Sequence, residues 1–198
     1  MVTKKEVSKL LKTKGKVRGN VLNTDAKYIT FKYGKEGLGK LEKEIKKTGV
    51  EIKYEKVKNT DWYPIGYRAI SLIVIKETFD WGDEELFEMG KAAPKNSFIV
   101  RTVLKYFVSL EKTFNELDKY WDKHYSIGKL ETKRIDLKRK FLEFYIKDFM
   151  VHPCLCIYFK GYFSSIAEMI LRNDDIKVEE PKCSFKGAPY HKFVITWK

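Results

Sequence analysis

The amino-acid sequence predicts an α+β domain in which an N-terminal helical bundle packs on a C-terminal four-stranded antiparallel sheet. In the first part of the chain, apolar residues recur at intervals of three and four, which is typical of helices with one buried face. From Lys129 onward they alternate with polar residues, as in strands with one buried face. An apolar helical run after Pro153 interrupts this alternation, so the C-terminal part is expected to have the order ββαββ.

Turn residues divide the helical part into short elements. Two helices are predicted before Gly49, with a break at Gly34. Asp61 is expected to cap a central core helix that has Pro64 in its first turn, and the acids at 83–85 complement the dipole of the next helix. Segments 98–110 and 112–124 again show helical spacing.

The C-terminal part is predicted to contain two hairpins. The first turns near residues 138–140, and the second turns around Gly187. Between them lies a helix whose wide apolar face includes Tyr158, Tyr162 and Phe163, and this face is expected to pack on the sheet.

We expect 198 residues to form a single domain preceded by a short extension. Residues 1–18 are interpreted as a basic arm or short helix, and residues 19–198 as the domain. Within the domain, residues 19–127 form the helical part and residues 128–198 form the sheet part. The start of the sequence lacks the apolar core of a signal peptide, and three cysteines cannot form an even disulfide framework, so a cytoplasmic protein is expected.

The charge is strongly basic, with 40 lysines and arginines against 27 acids and a formal net charge of +13. The excess is spread along the chain and is densest at residues 4–18 and 133–140. Neither stretch lies in a known DNA-binding or RNA-binding motif, so a solvated lysine surface is expected and nucleic acid is not an expected partner. An anionic membrane surface or a protein partner stays a candidate for the basic face.

The strongest local pattern is the pair Cys183 and His191, which lie four residues on either side of Gly187. In a hairpin centred there, they oppose one another with Cβ atoms roughly 5 Å apart. Three interpretations stay open: a buried cross-strand pair, a zinc site, and a nucleophile with its base.

A zinc site would need further ligands, which the sequence offers in four residues: His124, His152, Cys154 and Cys156. In a helix the two thiols point roughly 200° apart, so only one of them joins such a site readily. We name Cys154 as the tentative third ligand.

The aromatic residues have two interpretations as well. Trp62 and Tyr63 can anchor the core at a helix entrance or contact a ligand, and the same holds for the stripe that includes Tyr158, Tyr162 and Phe163. So many aromatic side chains facing a sheet fill a core or line an apolar cavity.

A series of short motifs resembles, in the same order, a superfamily of ligand-binding domains. That superfamily includes haem nitric-oxide-binding sensors, 4-vinyl-reductase-type domains and subunits of TRAPP vesicle-tethering complexes. The motifs lie at Gly19 to Asn23, Tyr33 to Gly37, Trp62 to Pro64, Trp81 to Lys91, Lys160 to Tyr162 and Cys183 to Trp197.

The 4-vinyl-reductase-type pattern fits the end of the chain best. Cys183, Gly187, Phe193 and Ile195 match it, and His191 stands where a second cysteine is expected. The resemblance implies a non-enzymatic sensor domain for an apolar small molecule, acting as a homodimer. It also implies that Trp62, Tyr63, Tyr158, Tyr162 and Phe163 contact the ligand.

The resemblance to haem sensors is weaker at the residues that hold haem. Trp121 aligns with the histidine that such sensors use, and Tyr145 to Phe149 lacks their arginine signature, so haem is not expected. Two other functions stay open: a TRAPP-like tethering or scaffold protein, and a cysteine-dependent or metal-dependent activity at Cys183 and His191.

Overall fold

The computed structural model describes residues 2–96 and 116–198. The segment 98–110, predicted as helical, lies outside the described residues. The described helices are α1 (Lys4–Leu11), α2 (Gly19–Lys47), α3 (Ile65–Phe79), α4 (Asp83–Asn96), α5 (Leu117–His124) and α6 (Cys154–Leu171). The strands are β1 (Lys16–Arg18), β2 (Trp62–Pro64), β3 (Lys129–Asp136), β4 (Phe141–Lys147), β5 (Ile176–Lys182) and β6 (His191–Trp197). The chain is therefore a mixed α+β fold with antiparallel sheets.

Helix α2 contains the break predicted at Gly34. This glycine has φ +70° and ψ −175°, a conformation that side chains other than glycine rarely adopt, and helical geometry resumes after it. Leu22 and Ile29 before the break and Leu41 and Ile45 after it are fully buried.

The entrance to α3 differs from the expectation. Trp62–Pro64 is a short strand that pairs with β1, so Pro64 precedes α3 instead of lying in its first turn. Asp61 does not cap the helix, because Pro64 occupies the cap position and no side chain accepts from the first turn, while the Asp61 carbonyl oxygen accepts the backbone N–H of Gly19 at 2.8 Å. Pairing with β1 thus sets the start of α3, and this contact is remote in sequence.

The larger sheet has the strand order β3-β4-β6-β5, with all neighbours antiparallel. Phe144 of β4 lies opposite Phe193 of β6, and both side chains are buried. Their rings stack 5.4 Å apart, and Phe163 of α6 packs on both of them at 4.5 and 5.3 Å. These three rings form the centre of the core between α6 and the sheet.

Helix α6 lies between this sheet and α4. It is long and apolar enough to cross a membrane by length and composition, yet most of it is buried inside the protein, as expected for a core helix. A Cβ atom on Gly90 would lie 2.0 Å from the carbonyl oxygen of Tyr158, and one on Gly161 would lie 2.0 Å from that of Phe87. Both glycines are therefore needed for the close approach of α4 and α6.

A buried ion pair connects the helices at the centre of the protein. Arg68 of α3 donates to Asp25 of α2 at 2.9 Å, and both side chains are at most 1% exposed. Arg68 also donates to the hydroxyl of Tyr125, and the hydroxyl of Tyr158 on α6 donates to Asp25 at 2.9 Å. Burial alone would lower the pKa of Arg68, but Asp25 together with Tyr125 and Tyr158 outweighs burial, and the pKa is raised.

Replacing Arg68 with methionine should lower the free energy of unfolding by about 3–5 kcal/mol, because it leaves the buried Asp25 carboxylate without an opposite charge. Urea denaturation measures the change. The control Arg134→Met removes an arginine paired with Asp136 at the surface and should cost at most about 1 kcal/mol. Adding Asp25→Asn to Arg68→Met should recover part of the loss. A cost below 1 kcal/mol for Arg68→Met would contradict the role of this pair.

Replacing Gly161 with alanine should lower the free energy of unfolding by about 1–3 kcal/mol, because the new Cβ collides with backbone atoms of α4 and the helices must separate. Gly39→Ala is the matched control, since no heavy atom lies within 4 Å of a Cβ at that position of α2. It should stabilise the protein by about 0.5–1 kcal/mol. Equal effects at the two glycines would show that the close approach is not required.

Candidate functional site

Four side chains with metal-binding atoms meet where the last hairpin packs on α6. Cys156 comes from α6, Glu180 from β5, and Cys183 and His191 from the two sides of the hairpin turn. One ligand atom from each residue lies within 4.8 Å of those of the other three. The sulfurs and the imidazole are buried, and the Glu180 side chain is 10% exposed.

The geometry of the hairpin positions Cys183 and His191. Lys182 pairs with Lys192, so the next residues inward, Cys183 and His191, face each other across the turn. Gly187 has φ +87° at the end of the 3-10 turn Ser184–Lys186, a conformation that favours glycine. The backbone N–H groups of Lys186 and Ala188 both donate to the Cys183 carbonyl oxygen, which closes the loop.

The second cysteine of the site is Cys156, and Cys154, expected as the third ligand, lies outside the group. Helical geometry explains the difference, because two residues along α6 turn the side chain to the opposite side of the helix. Cys156 faces the hairpin, whereas Cys154 is buried where the charge of Arg68 acts on it. Burial raises the pKa of Cys154 to about 12.

Sequence reasoning missed Glu180, although the strand pattern contained a signal. Glu180 has the same parity in β5 as Ile176 and Val178, so it lies on the inward face with two apolar residues. An acid on the apolar face of a strand, three residues before a cysteine, is the pattern that could have identified it.

His191 is oriented as a metal ligand requires. Its Nε2 lies 2.8 Å from the carbonyl oxygen of Phe149, and since a carbonyl only accepts, Nε2 carries the hydrogen. The other ring nitrogen, Nδ1, points at Glu180 and Cys156 at 2.7 and 3.6 Å. It shares a proton with Glu180 in this arrangement, and its lone pair becomes available to a metal ion when that proton leaves. A backbone carbonyl that fixes the tautomer is a usual companion of a ligating histidine.

Two of three distances between the donor atoms fit a tetrahedral metal ion. With metal–sulfur bonds of about 2.3 Å and metal–nitrogen bonds of about 2.05 Å, a tetrahedron separates two sulfurs by about 3.8 Å and sulfur from nitrogen by about 3.6 Å. The distance between the Cys156 and Cys183 sulfurs is 3.9 Å, and that from the Cys156 sulfur to His191 Nδ1 is 3.6 Å. The 2.7 Å between His191 and Glu180 is a hydrogen-bond length, shorter than such an edge.

The thiols are not activated by their surroundings. Burial raises the pKa of Cys156, and the nearby Glu180 carboxylate raises it further. Burial also raises the pKa of Cys183. Both thiols are therefore protonated near neutral pH and are poor nucleophiles, whereas a metal ion can displace their protons.

The aromatic residues named from the sequence lie in two places. The guanidinium of Arg18 stacks 3.9 Å above Trp62, and the Tyr63 hydroxyl accepts the backbone N–H of Lys58 at 2.9 Å. Tyr63 lines a surface cleft of about 360 Å³ together with Leu22, Tyr67 and the loop at 51–57. These contacts do not involve the aromatic face of α6.

The aromatic residues of α6 lie in the interior. The guanidinium of Arg68 lies 4.3 Å from the ring of Tyr158, and Phe163 packs under the sheet. Tyr162 is in edge contact with Phe163 at 5.7 Å, and burial raises the pKa of its hydroxyl to about 12. Tyr158 and Phe163 thus stabilise the core in addition to any contact with a ligand.

Trp121 of α5 belongs to a neighbouring aromatic cluster. Its ring stacks on Tyr125 at 4.5 Å and contacts Phe149 and Phe159 edge-on at 5.3 and 5.4 Å. Its indole N–H donates to the carbonyl oxygen of Ile127 at 3.0 Å. Because the same Phe149 provides the carbonyl that binds His191, the cluster is continuous with the four-residue group.

Neither a protein-family model nor a curated protein matches the sequence. Among solved structures, the chain is similar to an H-NOX protein from S. oneidensis in the Fe(II)NO ligation state, with a TM-score of 0.72 and 11% identity over 91% of this chain and 99% of that one. It is also similar to an oxygen-binding H-NOX domain related to soluble guanylate cyclases, with a TM-score of 0.64 and 16% identity over 91% and 95% of the two chains.

An unliganded Fe(II) H-NOX protein from K. algicida gives a similar result, with a TM-score of 0.64 and 15% identity over 91% of this chain and 96% of that one. At these identities the likeness concerns the fold. The chain therefore has an H-NOX-like fold, the haem nitric-oxide-binding architecture.

Proposed function

We propose that this chain is a small-molecule-binding sensor domain of the 4-vinyl-reductase type, in which a zinc ion joins the last hairpin to α6. The observation that carries the proposal is the group of Cys156, Glu180, Cys183 and His191, which lies beside the aromatic interior of an H-NOX-like fold. The similar H-NOX proteins are described as binding nitric oxide or oxygen, which supports a sensor role for the fold.

The donor set favours zinc over harder cations. Two thiols and an imidazole are ligands of borderline-soft ions, whereas calcium and magnesium require oxygen ligands. Once the hydrogen bond between His191 and Glu180 opens, four protein donors complete a tetrahedron and leave no position for a substrate, which is typical of structural zinc. A metal-dependent reaction at Cys183 and His191 is the weaker proposal for this reason, and the protonated thiols weaken a cysteine-dependent one.

The ligand we propose is an apolar small molecule held by aromatic side chains. Tyr162 and Phe163 on α6 are the first candidates, with Tyr158 beside them in the interior. Trp62 and Tyr63 stay in the proposal at a separate place, where Tyr63 lines the surface cleft and Trp62 lies under Arg18. The resemblance also leads us to propose a homodimer.

The residues at the position expected for the haem ligand do not fit haem. An indole offers no lone pair to iron, and the Trp121 ring is held by three aromatic neighbours and a hydrogen bond. His124, one turn later, has its Nδ1 2.8 Å from the Tyr120 carbonyl oxygen. Burial lowers its pKa, as do the charges of Arg68, Lys123 and Arg18, so the ring is neutral and His124 is the residue that the haem test below has to exclude. We therefore propose a ligand other than haem.

A TRAPP-like tether or scaffold is the second candidate function. The same fold resemblance supports it, and in that case any apolar ligand would be structural. The two proposals differ in whether the ligand exchanges. A sensor must release and rebind its ligand, whereas a structural ligand stays bound.

The protein should bind one zinc per chain, and Cys183→Ala or His191→Ala should weaken binding by at least about 100-fold, more than the loss of a supporting hydrogen bond costs. Metal analysis after dialysis against zinc measures this, and cobalt substitution should add a thiolate charge-transfer band. The matched control Cys154→Ala removes a buried thiol of the same helix and should keep the metal. A zinc content unchanged by Cys183→Ala would refute the site.

Zinc affinity should also fall as the pH is lowered through the neutral range. The pKa values of Cys156 and Cys183 are raised, so metal binding must release their protons, and a higher proton concentration opposes it. Titration with a competing chelator at several pH values measures this dependence. An affinity that does not change with pH would show that the thiols are not ligands.

The purified protein should carry an organic ligand that native mass spectrometry detects and denaturation releases. Tyr162→Ala with Phe163→Ala should abolish this extra mass, because it removes both candidate contacts. Tyr190→Ala is the control, since Tyr190 stacks on Tyr145 on the outer face of the sheet. Circular dichroism should verify that each variant is folded, and unchanged ligand loading in the double variant would contradict the proposal.

The same sample, incubated with hemin, should show no histidine-ligated Soret band. A stoichiometric haem complex with such a band would contradict the proposal of a ligand other than haem. The native mass also reports whether the protein is a dimer.

A further inference from the structure

We infer that the outer face of α1 is a docking surface for an anionic lipid bilayer. This lysine face consists of Lys4, Lys5 and Lys9 of α1 together with Lys12, Lys14 and Lys16, which follow the helix, and all six are exposed. The inference concerns a surface remote from the metal-binding group, and it does not depend on the sensor proposal.

The helix is held so that its lysines point outward. Val7 and Leu10, on the opposite side, are 5% and 2% exposed and pack in the core. A Cβ atom on Gly66 of α3 would lie 2.2 Å from the carbonyl oxygen of Leu10, so the glycine lets α1 lie directly on α3. Thr3 caps the helix by accepting the backbone N–H of Glu6 at 3.2 Å. The lysine face is therefore attached to a firmly packed element.

The charge of this face is not neutralised by the protein. Within the described part of the chain, none of its six lysines forms an ion pair, whereas the lysines at 133, 147 and 192 on the sheet are paired with glutamates. Glu6 is the one acid in the sequence of α1, and it faces His152 at 3.4 Å. Unpaired lysines whose one acidic neighbour in α1, Glu6, faces His152 produce a field that attracts an extended anionic surface.

The composition of the face favours lipid over nucleic acid. Its first part, residues 4–12, has lysines but contains none of the arginines and stacking aromatic rings on which nucleic-acid readout and single-strand binding depend. Leu11, in the last turn of α1, is 43% exposed beside Lys12 and can enter the headgroup region. Lys5, Ser8, Lys9, Lys12 and Thr13 line a shallow depression of about 440 Å³, in which ammonium and hydroxyl groups can contact a lipid phosphate.

The test is co-sedimentation of the full chain with two kinds of vesicle. One contains phosphatidylcholine alone, and the other contains phosphatidylcholine with about 30% phosphatidylserine. The protein should bind the anionic vesicles only, and the binding should weaken as salt is raised. Lys5→Gln, Lys9→Gln and Lys12→Gln together should weaken it about 100-fold, since each lysine near an anionic membrane contributes about fivefold. Leu11→Asn should give a smaller loss.

The matched control replaces Lys43, Lys46 and Lys47 of α2 with glutamine, which changes the net charge equally at another exposed place. It should retain binding within about threefold. Equal losses in the two triple variants would overturn the inference, because diffuse charge would then be responsible. Absence of binding to the anionic vesicles would overturn it as well. In that case, an RNA or DNA duplex that binds the protein but not the α1 triple variant would indicate nucleic acid as the partner.

Discussion

The ion pair of Asp25 and Arg68 is the constraint on which the helical half depends. A charge with no access to water is tolerated only with a partner and further hydrogen bonds, and the hydroxyls of Tyr125 and Tyr158 supply them here. Because these four residues come from α2, α3, the end of α5 and α6, their hydrogen bonds can form in only one relative arrangement of these elements. The pair therefore specifies the packing of the helices in addition to any stability it contributes.

A hydrogen bond of His191 connects the C-terminal hairpin to the same interior. His191 binds the Phe149 carbonyl, and the Phe149 ring packs on Trp121, Tyr125 and Phe159. Tyr125 in turn accepts a hydrogen from Arg68. The two polar centres are thus connected through contiguous packed side chains, so an ion proposed at one end would restrain the orientation of rings at the other.

The α+β class was predictable because the apolar period changes at Lys129, and the break at Gly34 was predictable because glycine interrupts a helical pattern. The start of α3 was not, since the pairing of residues 62–64 with β1 depends on a contact remote in sequence. At the candidate site, the position of His191 opposite Cys183 follows from turn geometry. The choice of Cys156 depends on which side of α6 meets the hairpin, and single-residue patterns do not contain that information.

The glycines of α4 and α6 have a consequence for the comparison of relatives. Gly90 and Gly161 lie on helices that border the aromatic interior, so an alignment would place them among candidate ligand residues. Their role in this structure is steric, because each faces a backbone carbonyl of the other helix. If both glycines recur among relatives with different ligands, that recurrence records the spacing of two helices, and specificity has to be sought in the side chains that vary around them.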